Sequence, residues 1–452
     1  MAHFHFVAIG GAGMSALARA LLAQGHTISG SDIKDNEATA RLSKLGAIIH
    51  LGHSRENVTS GTNVVVVSSA IHDDNPEVLE ARERGIPVIH RSDLLAQLMN
   101  AVDGVAVAGC HGKTTTTTMI GIAFQAAGLD PTILVGGEVS DFGGNAVVGK
   151  SSHLIAEADE SDGSFLKLRP RVAVATNVDN DHLDYWGSVE AIAAGFRQFL
   201  DNVKPSGYCV VCQDDALLRN ITEDVKRKVV TYGLRDGKVK AREVVMERWG
   251  SRFTLESWGC AVGSVRLNVP GLHNVQNSLA AFGVALEEGF PLGAVAEALE
   301  CFKGVDRRLQ KTFEARGVTV FDDYAHHPTE IKASLAALKN AGFERLTVVF
   351  QPHRYSRTAL LASEFGKAFA GADEVIVLPI YPGPGEKEMP GVTSDLVVRS
   401  IVERGGYALP ANDFREACQL ALDRARQGGA IVTMGAGDVW KVGKMVEDVL
   451  GH

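Results

Sequence analysis

The chain has 452 residues, and at ~150 residues per domain it has room for three domains, or for two large ones. It is 45% hydrophobic and 22% charged, too apolar for a disordered chain, and 48 glycines against 14 prolines suit an α/β protein full of strand–loop–helix turns. With 45 basic and 54 acidic residues the formal charge is −9, which argues against broad binding to nucleic acid or anionic membranes. An anionic substrate must therefore be held by local cations, metal ions or backbone N–H groups.

The first residues lack a basic leader region, and no window of ~18 uncharged apolar residues offers a membrane span, so a cytoplasmic protein is expected. The apolar run Phe4 to Ile9 predicts a strand, Gly10-Gly11-Ala12-Gly13 a tight loop, and Met14 to Gln24 a helix, the start of a βαβ unit. Further strands are predicted at Thr27–Ser31, Ala47–Ile49, Val64–Ser68 and Pro87–His90, and a helix over Ser92–Met99 closes a first domain, 1–99. The same punctuation then recurs: strand Val105–Ala108, loop Gly109 to Gly112, helix from Lys113. Strands at Leu154–Glu157, Val172–Asn177 and Tyr208–Val211, a helix over Val189–Leu200, a strand-rich β insertion from Val229 to Val269 and a helix over Asn274–Glu288 fill a second domain, 104–310. A third, 311–452, has strands at Val318–Phe321, Arg345–Phe350, Glu374–Pro379 and Ala430–Met434, the last running into Gly435-Ala436-Gly437-Asp438. Three strand–glycine–helix starts point to three α/β domains in tandem. The six cysteines form no disulfide framework, and Cys209-Val-Val-Cys212 reads as strand residues rather than a metal or redox motif.

Gly11-Ala12-Gly13-Met14-Ser15-Ala16 fits G-x-G-x-x-G/A after a first strand, with Asp32 ending the second strand. Such glycines admit a diphosphate to the helix N-terminus, and the acid can accept from a ribose hydroxyl, although a tight turn alone gives the same letters. Gly109-Cys110-His111-Gly112-Lys113-Thr114-Thr115 is more specific: a glycine loop running into Lys and Thr at a helix start cradles β- and γ-phosphates, with Thr114 on Mg²⁺. Its spacing is shorter than the usual G-x-x-x-x-G-K-[ST], with Val107 where that pattern has glycine. Acids follow the next two strands, Glu157-Ala-Asp159-Glu160-Ser-Asp162 and Asn177-Val-Asp179-Asn-Asp181-His182, where Mg²⁺ ligands beside a phosphate loop belong. In the third domain, Asp322-Asp323-Tyr324-Ala-His326-His327 and Gln351-Pro-His353-Arg354-Tyr-Ser-Arg357 end successive strands, and the arginines suit a carboxylate.

These blocks, with Thr176 to Asp184, Gly271-Leu-His273-Asn274-Val-Gln-Asn277, Asp322 to Glu330 and Pro352 to Thr358, resemble the Mur ligases, the ATP-dependent amino-acid ligases of the peptidoglycan stem peptide. The resemblance implies an α/β fold of three domains: an N-terminal Rossmann-like parallel sheet, a central P-loop-type ATPase domain with a mixed sheet, and a C-terminal Rossmann-like domain. It implies that Gly11, Ala12, Gly13, Met14, Ser15, Asp32 and Ser69 hold a UDP-sugar. By the same resemblance Gly109, Cys110, His111, Gly112, Lys113, Thr114 and Thr115 take the ATP phosphates. His273 and Asn277 contact adenine, and Arg307 or Arg308 the phosphates, with Asp323 nearby. Thr114 and Glu157 hold one Mg²⁺ and His182 a second. Tyr324, His326, His353, Arg354 and Arg357 face the amino acid and the sugar carboxylate, and Lys113, His182, His326, Arg354 and Arg357 carry the chemistry. The implied substrates are ATP, UDP-N-acetylmuramate and L-alanine, joined through an acyl phosphate by a monomer or homodimer. A ligase recycling a tripeptide onto the same sugar nucleotide and, more remotely, a nicotinamide-dependent oxidoreductase or a non-catalytic nucleotide-binding regulator are the alternatives. The loop Tyr381–Glu386 departs from the expected family pattern and is read only as mobile. Several sister ligases that add later residues carry a carbamylated lysine on the helix after the D-H-x-D motif; here that place falls on Phe196, read as a core residue with Ile192 and Phe199.

Overall fold

The computed structural model describes residues 1–383 and 386–451; Pro384 and Gly385 of the loop Tyr381–Glu386, and the side chain of Asp184, lie outside the described residues. The fold is three-domain α/β, with a parallel N-terminal sheet and mixed central and C-terminal sheets. Contacts divide the chain into two compact units, Met1–Arg242 with Thr254–Val265 and Gln276–Lys303, and Glu243–Phe253 with Arg266–Val275 and Gly304–His452.

In the first unit, β1 (His3–Val7), α1 (Ala12–Ala23), β2 (Thr27–Asp32), α2 (Glu37–Lys44), β3 (Ile48–Leu51), β4 (Val64–Val67), α3 (Pro76–Glu83), β5 (Val88–His90) and α4 (Arg91–Asn100) build a parallel sheet of order β3-β2-β1-β4-β5. The order reverses between β1 and β4, so the loops after these two strands open the crevice where α/β sheets bind ligands. The following strands and helices are β6 (Asp103–Ala108), α5 (Lys113–Ala126), β7 (Thr132–Val139), β8 (Gly144–Val147), β9 (His153–Glu157), β10 (Val172–Ala175), α6 (Leu183–Trp186) and α7 (Val189–Asp201). They continue through β11 (Tyr208–Cys212), α8 (Ala216–Thr222), β12 (Lys228–Gly233), β13 (Val239–Glu247), β14 (Gly250–Ser257), β15 (Cys260–Leu267), α9 (Leu272–Glu287) and α10 (Leu292–Glu300). The central sheet runs β15-β14-β13-β12-β11-β10-β6-β9-β7-β8. β6 lies between β9 and β10, parallel to both, and residues Val105 to Ala108 are fully buried, which explains the uninterrupted apolar run. The strand-rich stretch expected as an insertion extends this sheet instead, through β12 to β15. Strands β7 and β8 escape sequence reading because Gly136-Gly137 and Gly143-Gly144-Asn145 mimic turns. All six cysteines are free; Cys209 and Cys212 are buried strand residues whose thiol pKa values burial pushes up to about 12, so they are inert.

In the second unit, β16 (Gln310–Ala315), β17 (Val318–Asp323), α11 (Pro328–Asn340), β18 (Leu346–Phe350), α12 (Tyr355–Ala368), β19 (Glu374–Val377), α13 (Asp395–Val402), β20 (Ala408–Pro410), α14 (Phe414–Arg424), β21 (Ala430–Met434) and α15 (Trp440–Gly451) form a sheet of order β16-β17-β21-β18-β19-β20. Only the edge strand β16 is antiparallel. Two apolar clusters cover its faces, and Trp249, from the turn between β13 and β14, packs 6.0 Å from Phe321 and 5.8 Å from Phe343 on one of them.

The N-terminal domain buries a carboxylate. Glu77 of α3 accepts from Ser31 Oγ at 2.6 Å and Asn57 Nδ2 at 2.7 Å, with His53 Nδ1 at 3.0 Å and His5 Nε2 at 3.4 Å. Burial alone would raise its pKa, but the hydrogen bonds from His5, Ser31 and Asn57 outweigh it and hold the group at about 2, below the ordinary 4.5. Because the folded value is depressed, the stabilisation is full above about pH 4.5 and is lost as pH falls toward 2, on the order of 3 kcal/mol in all. Urea denaturation between pH 7 and pH 3 should show Glu77→Gln less stable at neutral pH and flatter in its acid dependence than wild type. Parallel pH profiles would contradict this.

Candidate active site

The glycine loop between β6 and α5 is shaped by its neighbours. Gly109 has φ 148°, and a Cβ there would fall 1.9 Å from Thr176 Oγ1; Gly112 has φ 79°, with Asn277 Oδ1 at 2.7 Å from the same imagined atom. Only glycine meets both demands. The loop after β10 pins it: Asn177 Oδ1 accepts from His111 N (2.8 Å), while Asn177 Nδ2 and Thr176 Oγ1 donate to His111 O (2.9 and 2.7 Å). His111 Nε2 lies 2.8 Å from Asp179 Oδ2. Cys110 is buried, its thiol pKa pushed well up by burial, so it contributes loop packing and not a nucleophile.

Lys113, the first residue of α5, folds its amine back over this loop, donating to Gly109 O at 2.6 Å and to Glu160 Oε1 at 2.7 Å. Burial works to lower its pKa, but the charges of Glu160 and Asp159 reverse this and hold it above the ordinary lysine value, so the amine stays charged. Glu160, 1% exposed, is pushed up to about 7 by burial, against the pull of Lys113. Its second oxygen, Oε2, is buried with no hydrogen-bond partner. His182 precedes α6 at φ 59°, which brings its Nε2 to 3.8 Å from Glu160 Oε1. Glu157, at the end of β9, accepts from Gly136 N at 2.6 Å. Thr114 and Thr115 are buried in the first turn of α5. Phe196 is fully buried on α7 with Ile192 and Phe199, its ring 5.2 Å from that of Phe165.

On the N-terminal sheet, Gly11 and Ala12 are exposed, while Met14 and Ser15 turn their side chains into the interior. The Ser15 hydroxyl reaches Gly11 O and Ala12 O and accepts from Asn145 Nδ2 at 2.9 Å, and its N–H bonds Gly11 O. The groups this loop offers a ligand are therefore the backbone N–H groups of Ala12 to Met14. Asp32, at the end of β2, braces the glycine loop after β1, Oδ2 accepting from Gly10 N at 2.9 Å. Ser69 Oγ donates to Asp162 Oδ2 at 2.9 Å, and Arg91 Nη2 donates to Asp159 at 2.5 Å, so the segments after β4 and β5 are fastened to the acid loop after β9.

The second unit assembles its own cluster at the ends of β17, β18 and β21. His326 Nδ1 lies 3.0 Å from Tyr324 O and 3.3 Å from Glu330, and its ring meets that of His353 edge-on at 5.8 Å. Arg357 Nη1 is 3.2 Å from His353 Nδ1; burial, then the neighbouring His326, Arg357 and Arg354, lower that histidine to about 3, so it is neutral. Arg354 takes φ 71° just before α12. Glu386 caps α12, accepting from Tyr355 N, Ser356 N and Ser356 Oγ at 3.0, 3.0 and 2.8 Å. Arg307, expected at the phosphates, is engaged inside the unit: Nε donates to Asp322 at 2.9 Å and Nη2 to Gly435 O at 2.8 Å. Asp323 is buried too, accepting from Ala325 N and Ser334 Oγ, its carboxyl pushed up to about 6 by burial. His273 belongs to this unit and Asn277 to the first; burial and then Arg308 lower His273 to about 4. Sequence reasoning passed over Arg91, Asn145 and Glu386. Arg91 and Glu386 follow strand ends, where ligand-facing groups concentrate, but the short strand β5 and the glycine-rich loop hid that position.

The family described as Mur ligase family, catalytic domain, matches residues 3–103; the Mur ligase middle domain matches 107–285, and the Mur ligase glutamate ligase domain 307–437. A UDP-N-acetylmuramate–L-alanine ligase of Desulfatibacillum aliphaticivorans is 46% identical over 443 residues, 97% of each chain. Among solved structures, the UDP-N-acetylmuramate–alanine ligase of Thermotoga maritima superposes with a TM-score of 0.85 at 30% identity over 99% of each chain. A murein peptide ligase of Psychrobacter arcticus shares the fold, with a TM-score of 0.75 at 23% identity over 100% of this chain and 99% of its own. The chain belongs to the Mur ligase family of ATP-dependent, amide-bond-forming ligases.

Proposed function

We propose that this protein joins L-alanine to the carboxylate of UDP-N-acetylmuramate, converting ATP to ADP and phosphate, as a cytoplasmic step of peptidoglycan precursor synthesis. The observation that carries the reading is Lys113, held charged between Gly109 O and Glu160 at the mouth of a pinned glycine loop, in a chain similar end to end to ligases of that name. A carboxylate is a poor electrophile, since an oxide does not leave. Transfer of the γ-phosphoryl group makes an acyl phosphate, which the amine attacks with loss of phosphate. Lys113 stabilises the transferring group, and the Gly109 to Thr115 loop orients it. The backbone N–H groups of Ala12 to Met14, with Asp32 bracing their loop and Ser69 on the loop after β4, receive the sugar nucleotide's diphosphate. His273 and Asn277 serve the adenine, and Tyr324, His326, His353, Arg354 and Arg357 face the amino acid and the carboxylate.

The acid loop fits Mg²⁺: Glu157, Glu160 and Thr114 offer hard oxygens, the buried Glu160 Oε2 has no protein partner, and His182 stands beside it. Two ions, one at Thr114 and Glu157 and one near His182, would neutralise the phosphate oxygens. No observation favours the tripeptide ligase over this reading.

Phosphate release should require ATP, Mg²⁺, UDP-N-acetylmuramate and L-alanine together; turnover without the sugar nucleotide, or with a tripeptide in preference to L-alanine, would overturn the assignment. Lys113→Ala should lower kcat by about 100-fold or more, because it removes the fixed charge at the moving phosphoryl group. A near-normal kcat would contradict that role. With Phe196 in the core, no side chain there can carry a carbamate, so activity in degassed, bicarbonate-free alkaline buffer should equal that with bicarbonate added. Loss and restoration of activity by bicarbonate would refute this.

A further inference from the structure

Helix α6 is a single turn set between two left-handed residues, His182 at φ 59° and Gly187 at φ 75°. Glycine takes such a φ freely, whereas a histidine there is strained and persists only where its neighbours hold it. Trp186 closes the turn, its backbone N–H donating to His182 O at 3.0 Å. Its side chain reaches another segment, and the indole Nε1 donates to Glu160 O at 2.9 Å. One residue is thus bonded both to His182 and to Glu160, which follow different strands, β10 and β9.

The indole is braced by the core of the central domain. A Cβ at Gly195 of α7 would fall 2.5 Å from the indole Cη2, so the helix carries glycine where the ring lies against it. Phe165 meets the indole edge-on at 6.1 Å and is itself fully buried, its ring 5.2 Å from those of Phe196 and Phe199. Tyr185 gives the turn a second contact with the acid loop, since a Cβ at Gly163 would fall 2.5 Å from its hydroxyl. Within that loop, Glu160 O also accepts from Gly163 N, at the longer distance of 3.2 Å. Filling the space between α7 and Phe165 needs only a ring; donating to Glu160 O from there needs the indole N–H. Resting on the function proposed above, we infer that Trp186 is a positioning residue, whose indole N–H fixes Glu160 relative to His182 and thereby the arrangement of charge around Lys113. The Glu160 carboxylate stands 2.7 Å from the Lys113 amine and 3.8 Å from His182 Nε2, so a shift of the Glu160 backbone moves it against both. A displacement of about 1 Å in such a group costs about 100-fold in rate.

The test replaces Trp186 in two ways, by Trp186→Phe and by benzothienylalanine at the same position, an isostere with sulfur in place of the indole N–H. Wild type must first show L-alanine-dependent phosphate release, which checks the proposed function separately. Both variants should lose kcat by about tenfold or more, with KM for UDP-N-acetylmuramate and L-alanine within about twofold of wild type. The thermal midpoint of the isostere should fall by no more than about 4 °C, the effect of one hydrogen bond. Independently of turnover, the indole ¹H–¹⁵N resonance that disappears in Trp186→Phe should shift when Mg²⁺ and ADP are added to wild type, because its acceptor belongs to the loop that takes the cation in the proposed reaction. A kcat within about twofold of wild type in the isostere, or an indole resonance that does not move, would overturn the inference. So would a larger fall in the isostere's thermal midpoint, which would assign Trp186 to packing alone.

Discussion

One buried ion pair governs the candidate site: the Lys113 amine held 2.7 Å from Glu160, at the head of α5 and against the carbonyls of a glycine loop. An isolated charge in such a place would cost several kcal/mol, so neither partner is tolerable without the other or without a substitute. The arrangement remains incomplete, because one Glu160 oxygen lacks a partner and the lysine's other contacts are loop carbonyls. In the function proposed above, a polyphosphate would take the lysine and a divalent cation the carboxylate.

Everything that holds this pair comes from the order of strands in the central sheet. Because β6 runs between β9 and β10, the Gly109–Gly112 loop, the acid loop and the Asn177 loop emerge side by side. Gly109 takes its φ of 148° because it carries no side chain, and Thr176 occupies the space one would need. The C-terminal sheet repeats the device at Gly435, also at 148°, where the residue under the turn is Gln351. The same backbone solution thus brings one neighbour's polar group against each turn, on two unrelated sheets.

The sequence makes the strand–glycine–helix starts legible because buried parallel strands are uninterrupted apolar runs and their glycines have no substitute. Lys113, Glu157 and His182 are legible because they lie within a few residues of strand ends. What stays hidden depends on tertiary partners. Nothing local shows that Arg307 turns inward to Asp322 and Gly435, that the Ser15 hydroxyl is engaged by Asn145, or that β7 and β8 pair across a glycine-rich stretch. Phe196 is legible by helical spacing alone, since Ile192 and Phe199 share its buried face.

In the proposed reaction a phosphoryl group passes to the carboxylate, beside Lys113 and its loop, before any amide forms. This order is tested most directly by running the reaction with UDP-N-acetylmuramate labelled with ¹⁸O in its carboxylate and analysing the released phosphate by mass spectrometry. Each phosphate should carry one oxygen from the carboxylate, because the C–O bond breaks when the amine displaces phosphate. Unlabelled phosphate, released at the same rate as the amide product forms, would contradict it.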